Sequence, residues 1–308
     1  MTTNAIQSSH IYSTYFAPRG RSRIYTLGMQ IAQLYLSPFD QIIGFIGEAG
    51  SGKSVLIKGM FPGIELTNDD DGVNVRPLPL LEQEYETGFF TPHTYHLDIR
   101  FETGFHQLSE LADAVQLAVR RGKRIIIEHF DLIYPLLGVN ANLLIGVGEQ
   151  IVITRPNLFG PLPQELCDIV YPSLAYRLMA HSAEDLCEYA MTQEQMLACS
   201  HGDIRHGFVL EFNEHQPDID IPTLEARVNE LIRQDLPIDY YDESHILLGG
   251  AQHYCTGPRT HVRSTGRIIG FRLLDHFIYD HFHKTYMLVG CVGDDSEENI
   301  RKLETIHG

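Results

Sequence analysis

The stretch Gln41-Ile-Ile-Gly-Phe-Ile46-Gly47-Glu48-Ala49-Gly50-Ser51-Gly52-Lys53-Ser54-Val-Leu-Ile-Lys-Gly-Met60 decides the fold. Its apolar start, residues 41–46, predicts a buried strand. Glycines at 47, 50 and 52 then break the pattern. From Lys53 to about Met60 the residues predict a helix, which Pro62-Gly63 stops. A strand, a Gly-x4-Gly-Lys-Ser loop and a helix, in that order, make a phosphate cradle. Glycine lets successive backbone N–H groups turn inward as a nest for phosphate oxygens. The helix N-terminus adds partial positive charge. Lys53 is expected to reach the β- and γ-phosphates, and the Ser54 hydroxyl to coordinate Mg2+. Gly47, Glu48, Ala49, Gly50, Ser51, Gly52, Lys53 and Ser54 are therefore the expected binding residues for ATP or GTP.

A γ-phosphate and its Mg2+ need carboxylates nearby, and two sets are available. Residues 64–66 read as a second strand that runs into Asp69-Asp70-Asp71. Carboxyl ends of strands face the ligand crevice of an α/β sheet, which aims this run at the loop. Asp is also an ordinary turn residue. The second set is the strand 124–128, which ends in Glu128. An acid ending so apolar a strand is costly to bury unless it is paired or used. Lys53, Asp70, Asp71 and Glu128 are the candidate catalytic residues, with Ser54 and Asp70 as candidate Mg2+ ligands.

Upstream, Ile24, Leu27, Ile31 and Leu34 recur at helical spacing, and Ser37-Pro38 ends that helix. Downstream, residues 73–92 are rich in Pro, Gly and charge and read as a long surface loop. Residues 95–101 read as a third strand. Leu108, Leu111, Val115 and Val119 stripe a helix capped by Gly122. Residues 143–145 and 150–153 read as two more strands. Strand alternating with helix predicts a mostly parallel α/β sheet of P-loop NTPase type, with helices on both faces. Pro156, Gly160, Pro161 and Pro163 mark a change of texture, dividing the chain into residues 1–160 and 161–308. The second part reads as α+β. It has a helix over 172–189, a strand over 206–212, a helix from Pro222 to Pro237, and strand-like segments at 266–273 and 285–292.

The formal net charge of -17 makes the chain a poor non-specific partner for nucleic acid. The arginine clusters 19, 21, 23 and 259, 263, 267 read as solvated faces. No stretch approaches the roughly 20 apolar residues of a membrane span. Residues 1–10 are polar and lack a signal core. The expectation is a cytoplasmic protein with no membrane partner. Five scattered cysteines, at 167, 187, 199, 255 and 291, are expected to be reduced thiols. His93, His96, His276, His281 and His283 read as structural or exposed.

The loop, with Asp-Asp after the next strand, resembles HPr kinase and the ATP-type phosphoenolpyruvate carboxykinases. In those families paired Asp residues handle metal and proton transfer. The stretch Arg124-Ile-Ile-Ile-Glu128-His-Phe-Asp-Leu-Ile-Tyr134 resembles the strand of uridine kinases that ends in an acid near the substrate. These resemblances imply phosphoryl transfer to a small molecule, with Asp70 or Asp71 as general base or metal ligand and positioning supplying most of the rate.

The stretch Cys255-Thr-Gly-Pro-Arg-Thr-His261-Val-Arg-Ser-Thr265-Gly266-Arg-Ile268 resembles the Cys-Gly-Gly-Thr-His-Val…Thr-Gly-x-Ile signature of the second additional domain of alanyl-tRNA synthetase. That editing domain hydrolyses misacylated tRNA and is shared with threonyl-tRNA synthetase and free-standing editing proteins. Residues 208–212 resemble its strand and residues 224–237 its central helix, so the resemblance covers about residues 177–292. His181-Ser-Ala-Glu-Asp185 falls where the family has His-x-x-x-His. Family members bind zinc through these two His plus the Cys and His. Here Asp185 replaces the second His. Cys255 and His261 are separated by five residues rather than three, and Gly257 holds the Cys position if no gap is allowed. The resemblance implies a zinc set of His181, Asp185, Cys255 and His261, or a domain that kept the fold and pocket without the metal.

Three functions follow as expectations. The first is phosphoryl transfer from ATP or GTP to a small molecule, with the C-terminal domain shaping the substrate site. The second is a nucleotide-gated aminoacyl-ester hydrolase, whose tRNA partner the net charge disfavours. The third is a nucleotide-dependent switch, with residues 73–92 as its moving element.

Overall fold

The computed structural model describes residues 11–67, 80, 93–213 and 215–307. Asp69, Asp70 and Asp71, and all of the expected loop 73–92 except Leu80, lie outside the described residues. The chain divides into two compact units, residues 1–17 with 21–172 and residues 18–20 with 173–308.

The first unit is mixed α/β. Its strands are β1 (Tyr12–Phe16), β2 (Ile42–Ile46), β3 (Thr94–Asp98), β4 (Arg124–Glu128), β5 (Leu143–Val147) and β6 (Gln150–Thr154). Its helices are α1 (Arg21–Tyr35), α2 (Lys53–Met60), α3 (Ile99–Glu102), α4 (Leu108–Arg120) and α5 (Phe130–Leu137), with the first turns of α6 (Pro163–Ala190). The sheet order is β1-β6-β5-β2-β4-β3. The pairs β5–β2, β2–β4 and β4–β3 are parallel, whereas β6 runs antiparallel to both β5 and β1.

Central strands read as unbroken apolar runs because both faces of the sheet are covered. Every residue of β2 and β5 is buried. Alternate residues supply opposite cores. Ile43, Phe45, Ile126 and Leu143 pack with Ile24 and Ile31 of α1 and Leu56 and Ile57 of α2. Ile42, Ile46, Ile125 and Ile127 pack with Leu111 and Val115 of α4, Phe130 and Ile133 of α5, and Leu166 and Val170 of α6.

Three expectations change. Residues 64–66 form no strand: among the described residues the sheet ends at β3, and Leu66 is buried in the core beside α2 instead. The strand expected over 95–101 stops at Asp98, whose carboxylate accepts from the Phe101 N–H and turns the chain into α3. The helix expected from Pro172 begins at Pro163, so Pro172 lies inside it. Leu166, Cys167 and Val170 hold this early part against the sheet.

The second unit joins α6 from Ser173 onward to α7 (Gln193–Ala198), α8 (Ile221–Arg233), α9 (Ser296–His307) and antiparallel strands. Here β12 (Arg272–Leu273), β14 (Thr285–Cys291), β8 (Gly207–Asn213) and β7 (Cys199–Ile204) line up in that order, with β13 (Ile278–Asp280) also on β14. A second sheet holds β9 (Ile238–Asp242), β10 (His245–Leu248) and β11 (Ala251–Tyr254). Helix α6 is buried on more than one face. Ala180, Ala183, Leu186 and Cys187 enter the apolar core. His181, Glu184, Asp185 and Glu188 are buried as well. Buried charges must find partners.

Candidate functional site

The loop after β2 has Gly50 at φ 80° and Gly52 at φ 94°, the left-handed region that only glycine adopts at no cost. A Cβ on Gly47 would lie 2.4 Å from the Val147 carbonyl oxygen, so that position also requires glycine. Lys53 Nζ donates to the carbonyls of Gly47 (3.0 Å) and Glu48 (2.9 Å) and stands 3.7 Å from Glu128 Oε2. An ammonium carries three donors, so two hold the loop and one is left on the side of Glu128.

Parallel register puts Glu128 beside Phe45 of β2 and opposite Asp98 of β3. Both acids therefore end their strands at the loop's edge of the sheet. Ser54 Oγ donates to Glu128 Oε1 at 3.1 Å. His96 Nε2 lies 3.2 Å from the same oxygen. The Thr67 backbone N–H donates to His96 Nδ1 (3.1 Å), which places the ring proton on Nε2, facing Glu128. Asp98, Glu128 and His129 are all buried, and each offers one ligand atom within 4.8 Å of the others. Across the loop, Arg100 of α3 pairs with Glu48 at 3.1 Å.

Electrostatics follows from burial and these partners. Burial pushes the Glu128 carboxyl up, but the His96 hydrogen bond, the Lys53 charge and the Ser54 hydrogen bond outweigh it and hold the group below its usual range. Burial lowers Lys53 and His129, and for His129 the Lys53 and Arg100 charges add to the effect. The structure thus brings Lys53, Ser54 and Glu128 into one cluster, while Asp70 and Asp71 lie outside the described residues. His96, Asp98, Arg100 and His129 join that neighbourhood although the sequence does not single them out, and by sequence His96 reads as structural or exposed. Asp98 carried a signal comparable to that of Glu128, an acid closing an apolar strand.

In the second unit His181, Asp185, Cys255 and His261 converge, with one ligand atom of each within 4.8 Å of the others. Cys255 Sγ lies 3.4 Å from His181 Nε2 and 3.7 Å from His261 Nε2. His261 Nε2 lies 2.8 Å from Asp185 Oδ2. His181 Nδ1 donates to the Thr260 carbonyl at 3.1 Å, which turns the Nε2 lone pair toward the thiol. Burial drives His181 well below its ordinary value, toward the neutral imidazole that ligates metals. His261 Nδ1 is buried without a hydrogen-bond partner.

The unusual spacing is absorbed locally. Thr260 N–H and Oγ1 both donate to the Gly257 carbonyl, closing a turn between Cys255 and His261. A Cβ on Gly257 would sit 2.8 Å from His181 Cε1, so a cysteine there would collide with the ring it was expected to join. Cys255 Sγ stands beside both imidazoles instead. The donor set of two imidazoles, one thiol and one carboxylate fits zinc.

Arg19 overturns one expectation. It is 3% exposed rather than solvated, pairing with Glu184 and, at 2.9 Å, with Asp203. Burial pushes the Glu184 carboxyl up to about 7 even with Arg19 opposing it. Arg259, Arg263 and Arg267 are exposed, as read. All five cysteines are free thiols. Among the described residues no helix is long and apolar enough to cross a membrane.

No protein-family model matches the chain, and no curated protein matches it either. Among solved structures, an aminotransferase from Eubacterium rectale is similar at 12% identity and a TM-score of 0.23, over 75% of this chain and 65% of that one. The chain thus spans about 65% of that enzyme's length, and a superposition this loose carries no argument about fold or chemistry.

Proposed function

We propose that the first unit binds a Mg2+-nucleotide, ATP or GTP, and transfers its terminal phosphoryl group to a small molecule. One observation carries the reading: Lys53, Ser54 and Glu128 meet at the carboxyl ends of adjacent parallel strands, around a loop that only glycine can form. The Ser54 hydroxyl and the carboxylates of Glu128 and Asp98 are the hard oxygen donors that suit Mg2+. When bound, Mg2+ would neutralise charge developing on the phosphates. The loop amides would hold the phosphate oxygens. Lys53 would turn its third donor from Glu128 to the terminal phosphate. His129, whose neutral form burial favours, would accept a proton from an acceptor hydroxyl.

The test is to follow γ-labelled ATP and GTP with a pool of small metabolites, using Lys53→Ala as control. Label on a small molecule in the wild type alone is expected. Label released only as phosphate would move the reading to a nucleotide-dependent switch or a nucleotide-gated hydrolase. Binding unchanged in Lys53→Ala would end it.

A second reading belongs to the other unit. The convergence of His181, Asp185, Cys255 and His261 supports a zinc site in a domain that resembles the alanyl-tRNA synthetase editing domain, and with it hydrolysis of an aminoacyl ester. Bound zinc would supply a Lewis acid there, and an activated water where one of the four donors left its position open. Stoichiometric zinc that is lost in His261→Ala is the expected result; metal-free wild-type protein with an intact fold would remove this reading.

A further inference from the structure

The buried polar face of α6 continues one turn past Asp185 to Glu188, which is 6% exposed. Glu188 Oε1 is hydrogen-bonded to His201 Nε2 and lies 3.5 Å from Cys199 Sγ. Cys199 Sγ is 3.9 Å from His201 Nε2. One ligand atom of each residue lies within 4.8 Å of the other two. On the other side of the carboxylate, His253 Nε2 stands 3.9 Å from Glu188 Oε2. His253 is 8% exposed, and its Nε2 is buried without a hydrogen-bond partner.

The arrangement could be taken for a thiol–imidazole–carboxylate triad, but its geometry is wrong for one. A triad places nucleophile and carboxylate on opposite ring nitrogens. Here both address Nε2 of His201, so three donor atoms face a common point. Three donors so close can hold an ion, which would displace the proton that His201 Nε2 shares with Glu188. The three donors, one imidazole, one carboxylate and one thiol, are of the same types as those of the neighbouring set. A soft sulfur with a borderline nitrogen selects zinc-like ions over Mg2+ or Ca2+.

We propose that Glu188, Cys199 and His201 form a second, three-residue site for a zinc-class divalent cation, separate from His181, Asp185, Cys255 and His261. Asp185 and Glu188 are one helical turn apart on α6, and both approach His253. The two sites would therefore be neighbours strung along one helix face.

The test uses the full chain, stripped with chelator and reloaded with Zn2+ or Co2+. Metal content is read by elemental analysis, and Co2+–thiolate bonding by its ultraviolet charge-transfer absorption. Two equivalents are expected in the wild type. Cys199→Ser and His201→Ala should each halve the metal content, and Cys255→Ser should remove the other equivalent. In the Cys255→Ser background a Co2+–thiolate band should survive, which reports on Cys199 without altering it. Wild-type metal content in both Cys199→Ser and His201→Ala, with an unchanged circular dichroism spectrum, would overturn the proposal. So would the absence of a Co2+–thiolate band in Cys255→Ser.

Discussion

Glu128 accepts hydrogen bonds from Ser54 and His96 and lies 3.7 Å from the Lys53 ammonium. Its folded pKa is depressed, so its ionised form contributes stability above the ordinary carboxylate range and loses that contribution as pH falls through the folded value. Glu128→Gln should therefore cost about 1–3 kcal/mol near neutral pH, the usual price of spoiling a buried polar network. The gap to wild type should begin to close as pH falls through the ordinary carboxylate value, about 4.3, and vanish below the depressed folded one. Urea unfolding at a series of pH values measures it, and a gap that ignores pH would show that the charge is not what matters. At this scale the loop residues were legible because their chemistry is local: glycines, lysine and serine act within eight consecutive positions. His96 was not, because its partner lies 32 residues along the chain and only strand pairing brings the two together.

Helices α1 and α2 pack through glycine. A Cβ on Gly28 would lie 2.5 Å from the Leu56 carbonyl oxygen, and one on Gly59 would lie 2.2 Å from that of Tyr25. Backbone meets backbone there, so neither side can yield by a rotamer change. Gly59→Ala is expected to destabilise the protein by about 1–3 kcal/mol, the range for overpacking. On the proposed function nucleotide affinity should fall with it, because α2 begins at Lys53 and Ser54. Thermal melts with and without nucleotide would show both effects; an unaltered melt would mean that the helices separate cheaply. The periodicity of α1 was plain in the sequence, whereas its glycine contact was not. A glycine inside a helical pattern reads only as a weak position until the second helix is known. Element ends were the other weak point. The side chain of Asp98 ended β3 early, and packing against the sheet carried α6 back through Pro172 to Pro163.

Over the whole chain, a net charge of -17 opposes association with nucleic acid, and burial of Arg19 takes one cation out of the N-terminal basic run. At about 0.15 M salt, where the screening length is about 8 Å, bulk tRNA should not be retained with the protein on nitrocellulose. Saturable retention that weakens steeply with added salt would contradict this. The sequence by itself determined the strand–loop–helix at residues 41–60, the mixed α/β character of the first unit, and the three residues that gather round Cys255. Those features rest on short-range spacing, or on a motif whose residue types state their chemistry. Tertiary structure alone decided that Glu128 shares its site with His96 and Asp98, that Arg19 is buried, and that Cys199, His201 and His253 face Glu188. These are contacts between side chains far apart in sequence. Sheet register and helix phase set their distances, and neither is encoded in any single segment.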